Sequence, residues 1–235
     1  MDINIKKTAD KGMSSMKIID LTHPVAENMP VYPGTDAPTL QVVNNHSEHG
    51  LLETHISMLS HTGTHIDAPA HLYSDGLTLD NYPIEHFVGK ALVIDCRNLE
   101  KGEKISILLL EEKGSALYEA EFLLFLTGHS LLWGSSDYFD NFPVMTDEVI
   151  EWINCRKLKG IGIDAPSFDP VTIGDFEPVA VGLRIHCAIL KTNHTILLEN
   201  LCNLEEIGNE MFTLYALPLK TLNAGGAPAR IIAIV

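Results

Sequence analysis

Histidine is concentrated in one short part of this sequence. Six of the eleven histidines lie within 26 residues. An isolated histidine is usually a surface residue or a hydrogen-bonded one, and we interpret His46, His49, His86 and His194 in that way. The run His61–His71, HTGTHIDAPAH, differs because its histidines and its aspartate recur at regular spacing. This run is the candidate for metal chemistry.

The spacing within the run favours an extended chain over a helix. His61 and His65 would share a helix face, as in zincin metalloproteases, but no glutamate follows His61 in the zincin manner. Gly63, Pro69 and the β-branched residues between them also disfavour a helix. Side chains two positions apart in a strand share a face, so His61, His65 and Asp67 should point the same way. We expect Gly63 to leave room for an ion. Two imidazoles and a carboxylate suit Zn²⁺, Mn²⁺ or Fe²⁺.

Three protein ligands leave coordination positions open, which is typical of a catalytic ion rather than a structural one. His71 keeps the same parity after a bend at Pro69, so it is a candidate ligand or acid/base. Downstream, His186 precedes a short apolar run, and Glu199 ends the strand-like run Thr195–Leu198. A carboxylate at a strand end is expected either to face a cation or to be solvated.

Composition bounds the class of protein. The 235 residues are 46% hydrophobic and 20% charged, which is typical of a folded domain rather than a disordered chain. The net charge of −15 disfavours nucleic acid and anionic membranes as partners, and leaves a small-molecule substrate. The four cysteines form no Cys-x-x-Cys pair, so we expect free thiols in a reducing compartment. Residues 1–15 lack the apolar core of a signal peptide, and we expect a cytoplasmic protein.

Strand-like segments dominate the rest of the chain. Short apolar or β-branched runs near turn residues predict eight strands: Lys17–Leu21, Leu40–Val43, Leu52–Leu59, Ala91–Asp95, Phe122–Thr127, Gly160–Ile163, His194–Leu198 and Ile231–Val235. Capping residues predict helices that begin after Ser106 and Thr146, and Leu204–Gly208 is a third, short candidate. We therefore predict a polar extension at 1–15 and one α/β domain at 16–235.

Several motifs together resemble those of a known family. They are DLTHP at 20–24, PVYPG at 30–34, the segment 60–71, GIDAPS at 162–167, LENL at 198–201 and the tail 226–234. The chain resembles the cyclase family of metal-dependent hydrolases, whose best-known members are bacterial kynurenine formamidases. The resemblance covers nearly all of the sequence after Met16, and its central H-x-G-T-H-x-D-x-P-x-H run is the most specific part.

The resemblance implies a site with two divalent ions per chain, expected to be Zn²⁺ with Mn²⁺ as the alternative. His61, His65 and Asp67 match the ligands of one ion. Asp67 and Glu199 match carboxylates that bridge to the second ion, which His186 would complete. The implied fold is the family's swivelling β/β/α architecture, with a strand-rich core and interleaved helices. The family usually forms dimers or larger oligomers, so we expect a homodimer or a homotetramer.

The resemblance also assigns His71 as the general acid/base and Tyr32 as a substrate-binding residue. Formamidases carry tryptophan at the position of Tyr32, where it contacts the aromatic ring of the substrate, so the change bears on which substrate this chain accepts. The spacing between His186 and Glu199 is one residue longer than in formamidases, which predicts a small insertion near Asn193.

These residues predict a metal-dependent hydrolase that uses metal-activated water to cleave an amide or related acyl bond of a small aromatic substrate. One alternative is a cyclic-amide hydrolase like isatin hydrolase with one Mn²⁺ ion, and another is a non-catalytic metal- or ligand-binding protein. No Gly-x-Ser-x-Gly elbow is present, which disfavours a serine hydrolase. Aromatic residues in the segment Trp133–Phe142 either line the pocket or pack beneath a loop. Asp164 either orients a ligand histidine or starts a turn.

Overall fold

The computed structural model describes residues 16–171, 182–192 and 194–235. The predicted extension at 1–15 and the predicted insertion near Asn193 lie outside the described residues. The described chain contains ten strands: β1 (Ile18–Asp20), β2 (Thr39–Asn44), β3 (Glu53–Ser57), β4 (His65–Asp67), β5 (Val88–Asp95), β6 (Phe122–Leu126), β7 (Gly160–Ile163), β8 (Ile196–Glu199), β9 (Phe212–Pro218) and β10 (Gly226–Ile234).

Within the described residues, five α-helices and several short 3₁₀ helices connect these strands. The α-helices are α1 (His46–His49), α2 (Ile107–Glu111), α3 (Ala116–Glu119), α4 (Asp147–Arg156) and α5 (Arg184–Leu190). The 3₁₀ helices are Pro69–His71, Leu79–Asn81, Ile84–Phe87, His129–Leu132, Ser136–Phe139 and Leu204–Glu206. In the part of the chain that the structure describes, no helix has the length and apolar character that crossing a bilayer requires.

Seven of the strands form one sheet that closes on itself. Strands β5, β6, β7 and β8 are parallel neighbours in that order. Antiparallel pairings continue from β8 to β4, from β4 to β10 and from β10 to β9, and β9 returns to β5. Strand β1 extends the sheet beyond β10, and β2 and β3 form a separate ribbon. The strand-rich α/β fold predicted from the sequence is confirmed.

The closed sheet has a buried side chain layer on each face. In β6, Phe122 and Leu124 belong to one apolar cluster and Leu123 and Phe125 to another, because successive strand residues point to opposite faces. The second cluster also contains the buried face of α4, so it fills the space between sheet and helices. The parallel strands are thus apolar on both faces, as parallel strands covered by helices usually are.

Strand β7 contributes little bulk to the first of these layers. A Cβ at Gly162 would lie 2.6 Å from Leu124 Cδ2 and 2.7 Å from Leu201 Cδ1. A Cβ at Gly160 would lie 2.8 Å from Phe122 Cε1. Glycine at these positions lets the large side chains of the neighbouring strands cross the interior.

Strand β9 and helix α5 are among the elements that were not predicted from the sequence. Strand β9 has the alternation typical of a half-buried strand, since Phe212, Leu214 and Ala216 are buried. Helix α5 has no side chain cap at its own first residues, because Leu183 occupies the N-cap position. The cap predicted at Thr146 is present, with Thr146 Oγ1 accepting a hydrogen bond from Val149 N.

Asp164 has a structural role that differs from both roles considered for it. Its Oδ1 accepts hydrogen bonds from Thr127 N at 2.7 Å and Thr127 Oγ1 at 2.6 Å, and its Oδ2 accepts one from Gly128 N at 2.8 Å. The prediction that Asp164 orients a ligand histidine is therefore wrong. The carboxylate is fully buried and ties the end of β7 to the turn after β6. Burial raises the pKa of Asp164, while the hydrogen bonds from Thr127 and Gly128 act in the opposite direction.

Replacing Asp164 with alanine should destabilise the fold, because three donors then lose a buried acceptor. We expect Asp164→Ala to lower the free energy of unfolding by about 2–4 kcal/mol. Asp164→Asn keeps one acceptor oxygen and should cost less. Urea denaturation of the three proteins measures the order, and equal losses for the two variants would contradict this account of the turn.

Candidate active site

All seven residues proposed from the sequence line one cavity of about 300 Å³. They are Tyr32, His61, His65, Asp67, His71, His186 and Glu199. Strand β4 supplies His65 and Asp67, strand β8 supplies Glu199 and helix α5 supplies His186. Residues that are far apart in the sequence thus meet because β4 and β8 are neighbours and α5 leads into β8.

The register between neighbouring strands sets the positions of the residues at the centre of the site. His65 lies directly opposite Glu199 in the antiparallel pairing of β4 and β8. On the other side of β4, Asp67 lies opposite Gly226 of β10. A Cβ at Gly226 would collide with the His61 ring, so glycine is needed for this ring to approach Asp67.

The extended-chain interpretation holds for only part of the histidine run. His65 and Asp67 share a face of β4, but His61 lies in a bend before the strand. Gly63 has φ +67, which reverses the chain, and a Cβ there would lie 2.8 Å from Met29 Cε. Gly63 lines the cavity, so the expectation that it makes room for an ion stays a prediction, and its freedom from a Cβ also permits the bend and the contact with Met29.

Helix α5 holds His186 through a residue that the sequence analysis missed. Asp169 Oδ1 accepts a hydrogen bond from Ile185 N at 2.8 Å, and Asp169 Oδ2 accepts one from His186 N at 3.0 Å. The same Oδ2 lies 2.8 Å from His186 Nδ1, so the ring presents Nε2 to the cavity. Asp169 lies in a bend six residues after the end of β7, and no spacing in the sequence marked it as a partner of His186.

The other two imidazoles are also held at Nδ1. His65 Nδ1 lies 2.8 Å from the carbonyl oxygen of Gly63, to which it donates. His61 Nδ1 lies 2.8 Å from Ser60 Oγ. In all three rings a hydrogen bond at Nδ1 leaves Nε2 directed into the site, which is the usual arrangement of metal-binding histidines.

The three Nε2 atoms converge on Asp67. His65 Nε2 lies 3.1 Å and His61 Nε2 lies 3.3 Å from Asp67 Oδ1. His186 Nε2 lies 3.5 Å from Asp67 Oδ2. Glu199 closes the group, with Oε1 3.0 Å from His186 Nε2 and Oε2 3.6 Å from His65 Nε2. Phe168 N donates to Glu199 Oε1 at 3.2 Å and fixes the carboxylate.

Burial and the two carboxylates shift the pKa values of the histidines in opposite directions. Burial lowers the pKa of His61 to about 4, more strongly than the charge of Asp67 raises it. Burial also acts to lower the pKa of His65, but the charge and hydrogen bond of Asp67 together with Glu199 raise it to about 9. The pKa of His186 is likewise raised, because Glu199 and Asp169 outweigh its burial. The carboxylates thus create a potential that attracts positive charge.

The geometry and the chemistry of these donors fit a divalent metal. Ligand atoms of His65, Asp67 and Glu199 lie within 4.8 Å of one another, and all three residues are buried. Among the described residues, His61 Nε2 and Asp67 Oδ1 are buried without a hydrogen-bond partner. A cation between them would satisfy both atoms, and a set of imidazole nitrogens and carboxylate oxygens suits Zn²⁺ or Mn²⁺.

His71 and the aromatic residues lie beside this donor group. The 3₁₀ helix Pro69–His71 turns the chain after β4, and the His71 ring lies 4.0 Å from the His61 ring between centroids. Burial lowers the pKa of His71. Tyr32 forms part of the cavity wall, and of the segment Trp133–Phe142 only Phe139 is among the lining residues.

The remaining aromatic residues of that segment pack behind the wall, as the alternative interpretation proposed. Tyr138 and Phe142 are buried in the interior. Trp133 stacks on His23 with 3.9 Å between ring centroids. Leu183 and Asn200 also line the cavity and were not predicted to do so, and Leu183 resembles an ordinary core position in the sequence.

The sequence and fold are similar to those of known hydrolases. Residues 19–170 match the sequence model of the Cyclase family. The chain is 31% identical over 223 residues to kynurenine formamidase from Bacillus cereus, covering 94% of this chain and 98% of that one. It is 29% identical over 222 residues to kynurenine formamidase from Bacillus anthracis, covering 94% of this chain and 98% of that one.

Solved structures of similar fold include isatin hydrolase A from Labrenzia aggregata bound to benzyl benzoate, with a TM-score of 0.80, 26% identity and 94% of each chain covered. Another is a protein from Bacillus stearothermophilus described as a predicted metal-dependent hydrolase, with a TM-score of 0.73, 27% identity and coverage of 94% of this chain and 99% of that one. Fold and relatives together define a metal-dependent hydrolase. More particularly, the chain belongs to the Cyclase family, which confirms the resemblance seen in its motifs.

If Asp169 orients His186 towards a metal, its removal should weaken metal binding without unfolding the protein. We expect Asp169→Asn to raise the dissociation constant for Zn²⁺ by about 10–100-fold, the usual effect of losing such a carboxylate partner. Competition with a chromogenic chelator measures the constant. Asp147→Asn is the matched control, because Asp147 pairs with Arg184 at the start of the same helix and lies outside the cavity. Equal effects of the two substitutions would contradict the orienting role.

Proposed function

We propose that this protein is a metal-dependent hydrolase that cleaves the amide bond of a small aromatic substrate, in the manner of an arylformamidase. The observation that carries the proposal is the convergence of three imidazole Nε2 atoms and two carboxylates on one buried point, at distances of 3.0–3.6 Å. The relatives named kynurenine formamidase and the structural neighbour named isatin hydrolase support the same reaction class.

The five converging residues would hold the metal. They are His61, His65, Asp67, His186 and Glu199. When bound, a divalent cation acidifies water and polarises the carbonyl group of the scissile bond. Two carboxylates and three imidazoles are enough donors for two ions that share a carboxylate, so we propose two Zn²⁺ per chain. A single Mn²⁺ remains the second candidate, since five ligands also suit one ion with more coordination positions.

His71 is the proposed general acid/base. It lies in the cavity beside His61, and among the described residues no hydrogen bond or ion pair engages its ring nitrogens, so they are left for the substrate and water. A neutral imidazole there can accept a proton from the attacking water and return it to the leaving nitrogen. A protein that only binds metal has no need for such a group.

The cavity walls favour an aromatic substrate. Pro30, Val31, Leu59, Phe139 and Leu183 supply apolar surface. An N-formyl aniline would place its ring against this surface and its carbonyl group near the donor cluster. A cyclic amide such as isatin offers the same combination of ring and carbonyl, so it is the second candidate substrate class.

Replacing His71 with alanine separates catalysis from metal binding. We expect His71→Ala, purified without chelator, to keep the roughly two metal equivalents of the wild type and to lose about 10²–10⁴-fold in kcat. Elemental analysis and turnover of N-formyl anilines, isatin and small lactones give the two readouts. Retained activity would overturn the role of His71, and a wild-type protein without metal would overturn the proposed function. One equivalent would favour the single-ion alternative.

We also propose that the protein forms a homodimer, or a homotetramer, through the ribbon of β2 and β3. One face of this ribbon carries the paired residues Leu40 with Ile56 and Val42 with Thr54. Val42 is 54% exposed, Ile56 is 58% exposed and Leu52 is 61% exposed, and the described residues leave this face uncovered. Large exposed apolar faces are typical of association surfaces.

A second copy is the occupant that best suits this face. The face carries no charge, so two chains of net charge −15 can meet there without placing like charges in contact. The ribbon also runs into Leu59 and Ser60 on the cavity wall, so a partner on this face would lie beside the site.

Free cysteines without a disulfide among the described residues support a cytoplasmic location.

Charge placed on the apolar face should disrupt the dimer. We expect Ile56→Glu to shift the protein from dimer to monomer in sedimentation velocity, because each dimer would bury two unpaired carboxylates. Gln41→Glu is the matched control: it adds the same charge to the opposite face of the ribbon and should leave the dimer intact. A monomeric wild type, or an Ile56→Glu protein that remains dimeric, would overturn this surface.

A further inference from the structure

Asn200 is a cavity residue that the donor cluster does not use. It follows Glu199 directly at the end of β8 and lines the same cavity. Its backbone has φ +55, in the left-handed region that asparagine tolerates better than most residues. Its N–H donates to Ala165 O at 3.0 Å, and its carbonyl oxygen accepts from Thr64 Oγ1 at 2.6 Å. The backbone of Asn200 is therefore fixed on both sides.

The side chain of Asn200 is fixed at only one end. The hydroxyl group of Tyr138 donates to Asn200 Oδ1 at 2.8 Å. Tyr138 is fully buried, and its ring packs at 5.1 Å from Trp133 and 5.3 Å from Phe139 between centroids, so the hydroxyl has little freedom. Within residues 16–171, 182–192 and 194–235, no group accepts a hydrogen bond from Asn200 Nδ2.

This arrangement determines which end of the amide is available. Tyr138 is fully buried, and among the described residues its hydroxyl proton has no acceptor other than Asn200, so the contact places Oδ1 rather than Nδ2 against the hydroxyl. The oxygen is then occupied and the NH₂ group is the free end. Because Asn200 lines the cavity, an oriented and unpaired donor stands beside the carboxylates of the proposed metal site.

We propose that Asn200 Nδ2 donates a hydrogen bond to the carbonyl oxygen of the substrate, and that Tyr138 acts as the positioning residue for it. This inference rests on the proposed function. The amide nitrogen of a formanilide is a poor acceptor because its lone pair is delocalised, so the carbonyl oxygen is the acceptor that remains. As the tetrahedral centre forms, this oxygen gains negative charge, and a donor held in place beforehand stabilises it without reorganisation.

The network behind Asn200 extends to the histidine run. Thr64 Oγ1, which donates to Asn200 O, also accepts a hydrogen bond from His23 N at 3.0 Å. The His23 ring stacks on Trp133, and Trp133 packs against Tyr138. Asn200 is therefore held by a closed set of contacts from both its backbone and its side chain, which is the support that a precisely placed donor needs.

Three variants test the inference on the metal-loaded enzyme. We expect Asn200→Ala to lower kcat on an N-formyl aniline by about 100-fold with a small change in KM, since the bond strengthens as charge develops. Tyr138→Phe should lower kcat about tenfold, because the amide loses its anchor but not its donor. In the Asn200→Ala background, Tyr138→Phe should have less than a twofold effect, since it would act through Asn200.

Asn203→Ala is the matched control. Asn203 has φ +57, close to that of Asn200, and donates through Nδ2 to Asp20 O at 2.8 Å. The same substitution at Asn203 carries the same backbone strain outside the cavity, so it should alter stability but not kcat. If Asn200→Ala does not fold, Asn200→Asp replaces it in the test. This variant keeps the left-handed conformation and the acceptor for Tyr138 but lacks the NH₂ donor, so it should lose a similar amount of activity.

A binding measurement keeps the inference testable even without turnover. Formate, the acid released from a formamide, offers the same acceptor oxygens, and its affinity for the Zn²⁺-loaded protein can be measured by calorimetry. We expect Asn200→Ala to weaken formate binding at least fivefold with unchanged metal content. Unchanged affinity and kcat in Asn200→Ala, or equal losses in Asn203→Ala, would overturn the inference. An inactive, fully metal-loaded wild type would instead overturn the proposed function, and the formate result alone would then decide the role of Asn200.

Discussion

The site depends on one buried carboxylate. Asp67 is 1% exposed, and its pKa is held well below the ordinary value by His65, His186 and His61, despite the burial that acts to raise it. An ionised carboxylate in a protein interior costs several kcal/mol unless positive charge and hydrogen bonds surround it. The chain therefore gathers three imidazoles around Asp67. The same requirement explains why a cation suits this position. A cation supplies positive charge next to the Asp67 carboxylate, which a neutral imidazole cannot do.

The surrounding sheet makes that arrangement possible. Strand β4 is only three residues long, but it lies between β8 and β10, so both Asp67 and His65 are placed by backbone hydrogen bonds on two sides. Placing these groups on strands rather than loops limits how far they can move apart when their charges change. Helix α5 is the exception, because it lies outside the sheet. Its His186 reaches the site correctly only because Asp169 holds both its backbone and its ring.

How far the site could be predicted depends on how far apart in the sequence the interacting residues lie. His65 and Asp67 share a face because the period of a strand is a property of the backbone itself. His61 reaches them through the left-handed turn at Gly63, where a Cβ would also meet Met29, and no local pattern encodes that contact. The alternation of buried residues in β9 and the cap of α4 at Thr146 are local patterns that the sequence contains. Helix α5 has no such local pattern at its start, since the group that caps it lies 16 residues earlier in the chain.

The division of ligands between near and distant parts of the chain links metal binding to folding. His61, His65 and Asp67 lie within seven residues, so an unfolded chain could bring them to one ion at low entropic cost. Glu199 and His186 join only when β8 lies beside β4 and α5 has docked. Binding by all five is available to the native state alone, and a ligand that favours the native state stabilises it by mass action. An ion held by the complete set would therefore oppose separation of β4 from β8, so the residues that serve chemistry would also close the sheet.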